Sequence, residues 1–258
     1  MRAKKSLGQN FLKSSSVVRE IVKAGEIKKG DAILEIGPGR GILTEKLLEY
    51  GGKVIAVEKD YELFNLLQEK FIQQIKSGTL VLVHDDILKF EIKNYELRSY
   101  KIIANIPYNI TGAILKKFLT AENQPERMVL MVQNEVAKRI VARPRHGGAG
   151  AKESILSISV KAYGEPKMIM KVGARYFSPS PKVDSAVIAI NKISRKTFIE
   201  NKVNEEKFWE IVKMGFAHKR KKLSGNLKSI VLKLPLNLKD KRAEDLTLLD
   251  WILLTKQY

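Results

Sequence analysis

Asn105-Ile106-Pro107-Tyr108 brings together groups that suit one kind of reaction. The Asn105 side-chain oxygen and a backbone carbonyl from Ile106 or Pro107 can each accept an N–H from the same amino group. Pro107 has no N–H of its own and stiffens the turn. Tyr108 offers a face on which a planar base can stack. The exocyclic nitrogen of adenine is a poor nucleophile because its lone pair is delocalised into the ring. A site that alkylates it must hold both N–H groups and aim the lone pair, which is catalysis by positioning and electrostatics. No strong base is required, since the nitrogen becomes acidic once alkylated. A strand-to-helix turn with a capping Asn is the structural alternative. A base removed from its stack lies between two apolar surfaces. Phe177, in Tyr176-Phe177-Ser178-Pro179-Ser180-Pro181, is a candidate for the second. A core phenylalanine fits that position as well, and the residues alone leave both readings open.

The alkyl donor is suggested by a second group of residues. The apolar run Ala32–Ile36 ends in Gly37-Pro38-Gly39-Arg40-Gly41. Glycines there let the chain turn tightly and let a ligand approach the strand end. Glu58 closes the next apolar run, 21 residues after Gly37, where a carboxylate accepts hydrogen bonds from a ribose diol. A dinucleotide fingerprint would need glycine at position 42, and Ile42 is there instead. Gly-x-Gly-x-Gly preceded by Glu35 is the pattern of S-adenosylmethionine enzymes, so Gly37, Gly39 and Glu58 are expected around that cofactor. In His84-Asp85-Asp86-Ile87, Asp86 either accepts a bond from the cofactor's adenine amino group or caps a turn.

These residues need a frame that brings strand ends together. The runs 32–36, 53–57, 79–83, 101–105 and 128–132 are short, apolar and often β-branched, as in buried parallel strands. The stretches between them, such as 42–50 and 61–76, carry apolar residues three and four apart and read as crossover helices. No helix fits between the runs 166–172 and 185–191, so these are expected to be antiparallel neighbours. Residues 143–152, Arg-Pro-Arg-His-Gly-Gly-Ala-Gly-Ala-Lys, read as a mobile basic loop. Beyond Arg195 only helical periodicity remains.

Composition narrows the partners. The 258 residues contain 47 Lys and Arg against 28 Asp and Glu, a formal net charge of +19. Such an excess costs self-repulsion, which a polyanion relieves. The absence of cysteine excludes disulfides, a cysteine nucleophile and cysteine-ligated metal; no metal site is expected. No stretch approaches the roughly 18 apolar residues of a membrane span, and the first residues do not read as a secretory signal. A cytoplasmic protein without a membrane partner is the expectation.

Together with Lys5-Ser6-Leu7-Gly8-Gln9-Asn10-Phe11-Leu12 and Phe177-Ser178-Pro179, these motifs resemble the KsgA family of small-subunit ribosomal RNA adenine dimethyltransferases. The related Erm 23S rRNA methyltransferases share the catalytic motifs. The resemblance covers nearly the whole chain. It implies that Asn10 and Leu12 close over the cofactor and that Gly37, Glu58, Asp86 and Asn105 line its site. It also implies that Asn105, Tyr108 and Phe177 hold the target adenine. The implied fold is α/β: a Rossmann-like class I methyltransferase sheet, mostly parallel with one antiparallel late strand, spanning 1–194. A small all-helical domain is expected over 195–258. The implied reaction is dimethylation of two adjacent adenosines in the 3′-terminal hairpin loop of 16S rRNA, by a monomer acting on the small ribosomal subunit. An Erm-type activity on 23S rRNA, an adenine-N6 DNA methyltransferase and a non-catalytic assembly factor are the alternatives. Basic groups at Arg2, Lys4 and Lys5, at Arg143, Arg145 and Lys152, and at His218–Lys222 are expected to meet RNA phosphates.

Overall fold

The computed structural model describes residues 3–4, 7–95, 97, 99–143, 152–228 and 234–257. Arg2, Lys5, Ser6, Arg145 and the glycine loop 147–150 lie outside the described residues. The strands are β1 (Phe11–Leu12), β2 (Ala32–Ile36), β3 (Lys53–Glu58), β4 (Leu80–His84), β5 (Lys101–Asn105), β6 (Arg127–Gln133), β7 (Glu165–Val172), β8 (Phe177–Ser178) and β9 (Ser185–Asn191). Seven form one sheet in the order β4-β3-β2-β5-β6-β9-β7. Pairing from β4 through β6 is parallel, and β9 runs antiparallel to β6. β7 and β9 are sheet neighbours, as the lack of an intervening helix requires. The central strands are buried on both faces, which is why they are continuous apolar runs rather than alternating ones.

Compactness divides the chain into two units. The first comprises Met1–Ala137 with Lys167–Ile193, and the second Lys138–Pro166 with Ser194–Tyr258. The second unit resumes at Ser194. Residues 138–166, expected in the first domain, group with the C-terminal helices instead. Aromatic packing explains this. Tyr163 stacks on Trp209 and tilts against Phe198, and its hydroxyl bonds the Glu205 carboxylate and accepts from Trp209 Nε1.

In the first unit the helical stretch 61–76 is not one helix. It breaks at Phe71 (φ −111°, ψ 27°) into Tyr61–Lys70 and Ile72–Lys76. The break lets the Phe71 ring, 2% exposed, pack under the glycine turn. Gly41 sits there in the left-handed region (φ +76°), and a Cβ on it would lie 2.6 Å from Phe71 Cε2 and 2.9 Å from Leu67 Cδ2. Both the backbone conformation and the packing require glycine. Gly41→Ala is expected to lower the unfolding free energy by about 2–3 kcal/mol, measured by urea denaturation of the wild type and the variant.

Candidate active site

The carboxyl ends of β2, β3 and β5, with the turn after β4, surround an open cleft. Parallel sheets place ligands at this edge. Gly37, Gly39, Glu58, Asp86, Asn105 and Tyr108 all line it, as do Asn10 and Leu12. The apolar runs end in glycine, carboxylate or Asn at one edge of the sheet, so residues far apart in sequence converge there.

Glu58 is the structural centre of the cleft. It is 6% exposed. One oxygen accepts the Gly39 amide at 3.1 Å and the other the Asp60 amide at 2.8 Å. Burial pushes its pKa up, opposed by these two amides. Its remaining lone pairs suit hydroxyl donors. Gly37 has φ +64° with no atom within 4 Å of where a Cβ would stand, so the backbone leaves a cradle open there. Asp86 is held ionised, its pKa lowered first by the Lys59 ammonium at 2.8 Å and then by the Leu88 amide at 2.9 Å.

Glu35 lies at the base of the cleft, 1% exposed, and its Oε2 has no hydrogen-bond partner. Burial raises its pKa from 4.5 to about 8, with repulsion from Glu58 adding to the shift. A buried carboxyl group with one oxygen unpartnered, beside a second carboxyl, fits a ligand that carries positive charge. The open glycine cradle and the diol acceptor fit its nucleoside part.

The N-terminal arm covers this edge. β1 pairs antiparallel with β8, Leu12 opposite Phe177 and Phe11 opposite Ser178. A Cβ on Gly39 would stand 3.2 Å from Phe11 Cδ1, and the Arg40 guanidinium lies 4.7 Å from the centre of the same ring. Upstream, Lys4 Nζ and Gln9 Nε2 donate to the two oxygens of Asp60, each at 2.7 Å. Asp60 also caps the helix that follows through the Glu62 amide. Its pKa is lowered by Lys4 and Gln9 against the opposing effect of burial. Nothing in local sequence pattern marks Gln9–Asp60 or Phe11–Gly39, because both join segments far apart in the chain.

Asn105 meets the arm directly. Its Nδ2 donates to the Asn10 carbonyl at 3.4 Å, which turns Oδ1 away as an acceptor. The Pro107 carbonyl already accepts the Ile110 amide at 3.3 Å, leaving the Ile106 carbonyl as the freer of the two backbone acceptors. The Tyr108 hydroxyl bonds Ser185 Oγ, which fixes the ring, and burial raises its pKa so that the phenol stays neutral. Phe177 is placed differently from a stacking surface. It is 2% exposed, belongs to the core with Leu12, Val172 and Val187, and does not line the cleft. The core alternative left open by sequence is the one observed, because pairing with β1 draws Phe177 under the arm. Among the basic groups, Lys4 is spent on Asp60 and Glu62 and Lys152 on Glu244, whereas Lys219, Arg220 and Lys221 are exposed.

A family model described as ribosomal RNA adenine dimethylase matches residues 1–250. The chain belongs to the ribosomal RNA adenine dimethylase family. Relatives in this family include a ribosomal RNA small subunit methyltransferase A of Dehalococcoides mccartyi, 40% identical over 272 residues and covering 100% of this chain and 89% of that protein. The protein of the same name in Fusobacterium nucleatum is 37% identical over 225 residues, covering 87% and 82%. A dimethyladenosine transferase from Plasmodium falciparum superposes with a TM-score of 0.76 at 25% identity, covering 95% of this chain and 96% of that one. The 23S rRNA methyltransferase ErmE gives 0.76 at 23% identity, covering 96% and 99%, a likeness of fold.

The dimethylase cofactor is S-adenosylmethionine, which when bound supplies an electrophilic methyl group. Glu58 and the open backbone at Gly37 line the cleft, and Asp86 presents a carboxylate at the β4 end. No helix of the described residues is long and apolar enough to cross a membrane.

The raised pKa of Glu35 predicts a pH-dependent stability. The folded chain holds one more proton than the unfolded chain between the ordinary value of 4.5 and about 8. Stability from this group is therefore full below that window and is lost as pH rises through it. Glu35→Gln removes the dependence. The thermal midpoint of the ligand-free variant is expected to gain on wild type as pH is raised from about 5 to about 8.5; parallel pH curves would contradict this.

Proposed function

We propose that this chain transfers methyl groups to N6 of two adjacent adenosines in the 3′-terminal hairpin loop of 16S rRNA, two to each. In this reading it is a cytoplasmic monomer that acts on the small ribosomal subunit during its assembly. The observation that carries the reading is the orientation of Asn105, whose amide nitrogen bonds the Asn10 carbonyl. Asn105 Oδ1 and the Ile106 carbonyl then stand as two acceptors for the two N–H groups of one amine. Holding both hydrogens turns the nitrogen lone pair out of conjugation and toward the cofactor side of the cleft. Stabilisation of the developing charge by fixed acceptors suits a direct displacement. The proton leaves the alkylated nitrogen to solvent, and the neutral Tyr108 ring supports the base.

Asn10, Leu12, Gly37, Gly39, Glu58, Asp86 and Asn105 are assigned to the cofactor, and Asn105 and Tyr108 to the base. Phe177 enters as a positioning residue that seats Leu12 and the arm. The small-subunit name of the curated relatives and the whole-length match favour 16S over 23S rRNA as substrate. The exposed Lys219, Arg220 and Lys221 offer phosphate contacts, which set affinity rather than sequence.

The test is transfer of labelled methyl groups to undermethylated small subunits, with large subunits and DNA as parallel substrates, followed by nucleoside analysis. N6,N6-dimethyladenosine from small subunits alone is expected. Asn105→Ala should reduce the rate by about two to three orders of magnitude. Label in large subunits or DNA would move the substrate. No label with cofactor still bound would favour an assembly factor.

A further inference from the structure

Beside the cofactor cleft lies a second, more open depression lined by Gly8, Asn10, Tyr108, Asn109 and Gln133. The first four also line the cleft, so the two are continuous. Gln133 is new to the site. It ends β6, beyond the buried run Met128–Val132, and in register it faces Ser185 on β9. Ser185 is the residue whose hydroxyl fixes Tyr108. The Tyr108 ring and the Gln133 carboxamide are thus held by the same pair of strands.

The Gln133 side chain is half-buried and hydrogen-bonds no described residue. Polar side chains around it are engaged, apart from the exposed Asn109. Asn105 bonds Asn10, Asn10 bonds Gly8, and Tyr108 bonds Ser185. A carboxamide carries two donors and an acceptor oxygen, and at the rim of the depression these are free to exchange water for a ligand.

We propose that Gln133 reads the target base: its carboxamide donates to a ring nitrogen flanking the amine, N1 or N7. The inference rests on the functional reading above. Dimethylation gives it a particular use. The unmethylated amine offers two hydrogens to Asn105 and Ile106, but the monomethylated amine offers only one. A donor aimed at a ring nitrogen is indifferent to that loss and keeps the ring in register for the second transfer. Carboxamide-to-adenine hydrogen bonding of this type is an established mode of recognition.

The test uses the full chain with undermethylated small subunits, comparing wild type with Gln133→Ala and Gln133→Glu, which removes the donors but keeps the length. Both variants are expected to accumulate N6-monomethyladenosine. The second transfer should slow about tenfold and the first by less, with cofactor affinity and unfolding midpoint unchanged. Small subunits reassembled around 16S rRNA with 1-deazaadenosine or 7-deazaadenosine at the target identify the acceptor. Wild type should lose about tenfold on one of them, and Gln133→Ala should lose nothing further on that one. An unchanged ratio of mono- to dimethyladenosine, or additive losses on both analogues, would overturn the proposal. If wild type methylates no adenine in small subunits, the functional reading fails first, a result distinct from either.

Discussion

The site depends on one chain of hydrogen bonds that runs through Asp60. Its carboxylate takes Lys4 and Gln9 from the N-terminal arm, its amide donates to Glu58, and Glu58 in turn receives Gly39 from the glycine turn. Three segments that share no local contact in sequence are thereby fixed at one edge of the sheet. The link is made of charge-assisted bonds to a carboxylate that is 3% exposed, where such bonds are stronger than at a free surface. The same arm presents the Asn10 carbonyl to Asn105. Closure over the cofactor and orientation of the amine acceptor are therefore one structural event. A loose arm would leave the Asp60 carboxylate without Lys4 and Gln9 and Asn105 free to rotate.

The electrostatics of the cleft follow from what is and is not paired. Asp86 and Asp60 have cationic partners and stay ionised at low pH. Glu35 and Glu58 have none, and burial raises both. The floor of the cleft thus carries latent negative charge that a cationic ligand would draw out, whereas its rim carries charge already balanced by lysine. This division lets a strongly basic protein keep an acidic pocket without scattering anions over the surface meant for RNA.

The sheet was legible because its central strands are buried on both faces. Continuous β-branched runs bounded by glycine, aspartate or asparagine placed β2, β5 and β9 to the residue. The rest needed tertiary contacts. The helix break at Phe71 exists because a ring must fill the space beneath Gly41, thirty positions upstream. β1 and β8 are two residues each, too short for any periodic signal, and they pair across most of the first unit. That pairing also decides Phe177, whose neighbours in sequence were compatible with either stacking or core. The segment 138–166 grouped with the helical unit through Tyr163, whose partners lie between 198 and 209. The cofactor-side carboxylates and Asn105 were readable as types at strand ends, but the groups that aim them, Gln9, Asp60 and Ser185, were not.

The most direct measurement of the arm's role is a double-mutant cycle on S-adenosylmethionine affinity by calorimetry, using Gln9→Ala, Asp60→Ser and the pair. Serine keeps the helix cap but is too short to reach the arm. Each single change should weaken binding about tenfold, and the double should be little worse than either single, a coupling of about 1 kcal/mol. Affinities that do not move, or losses that simply add, would contradict an arm latched through Asp60.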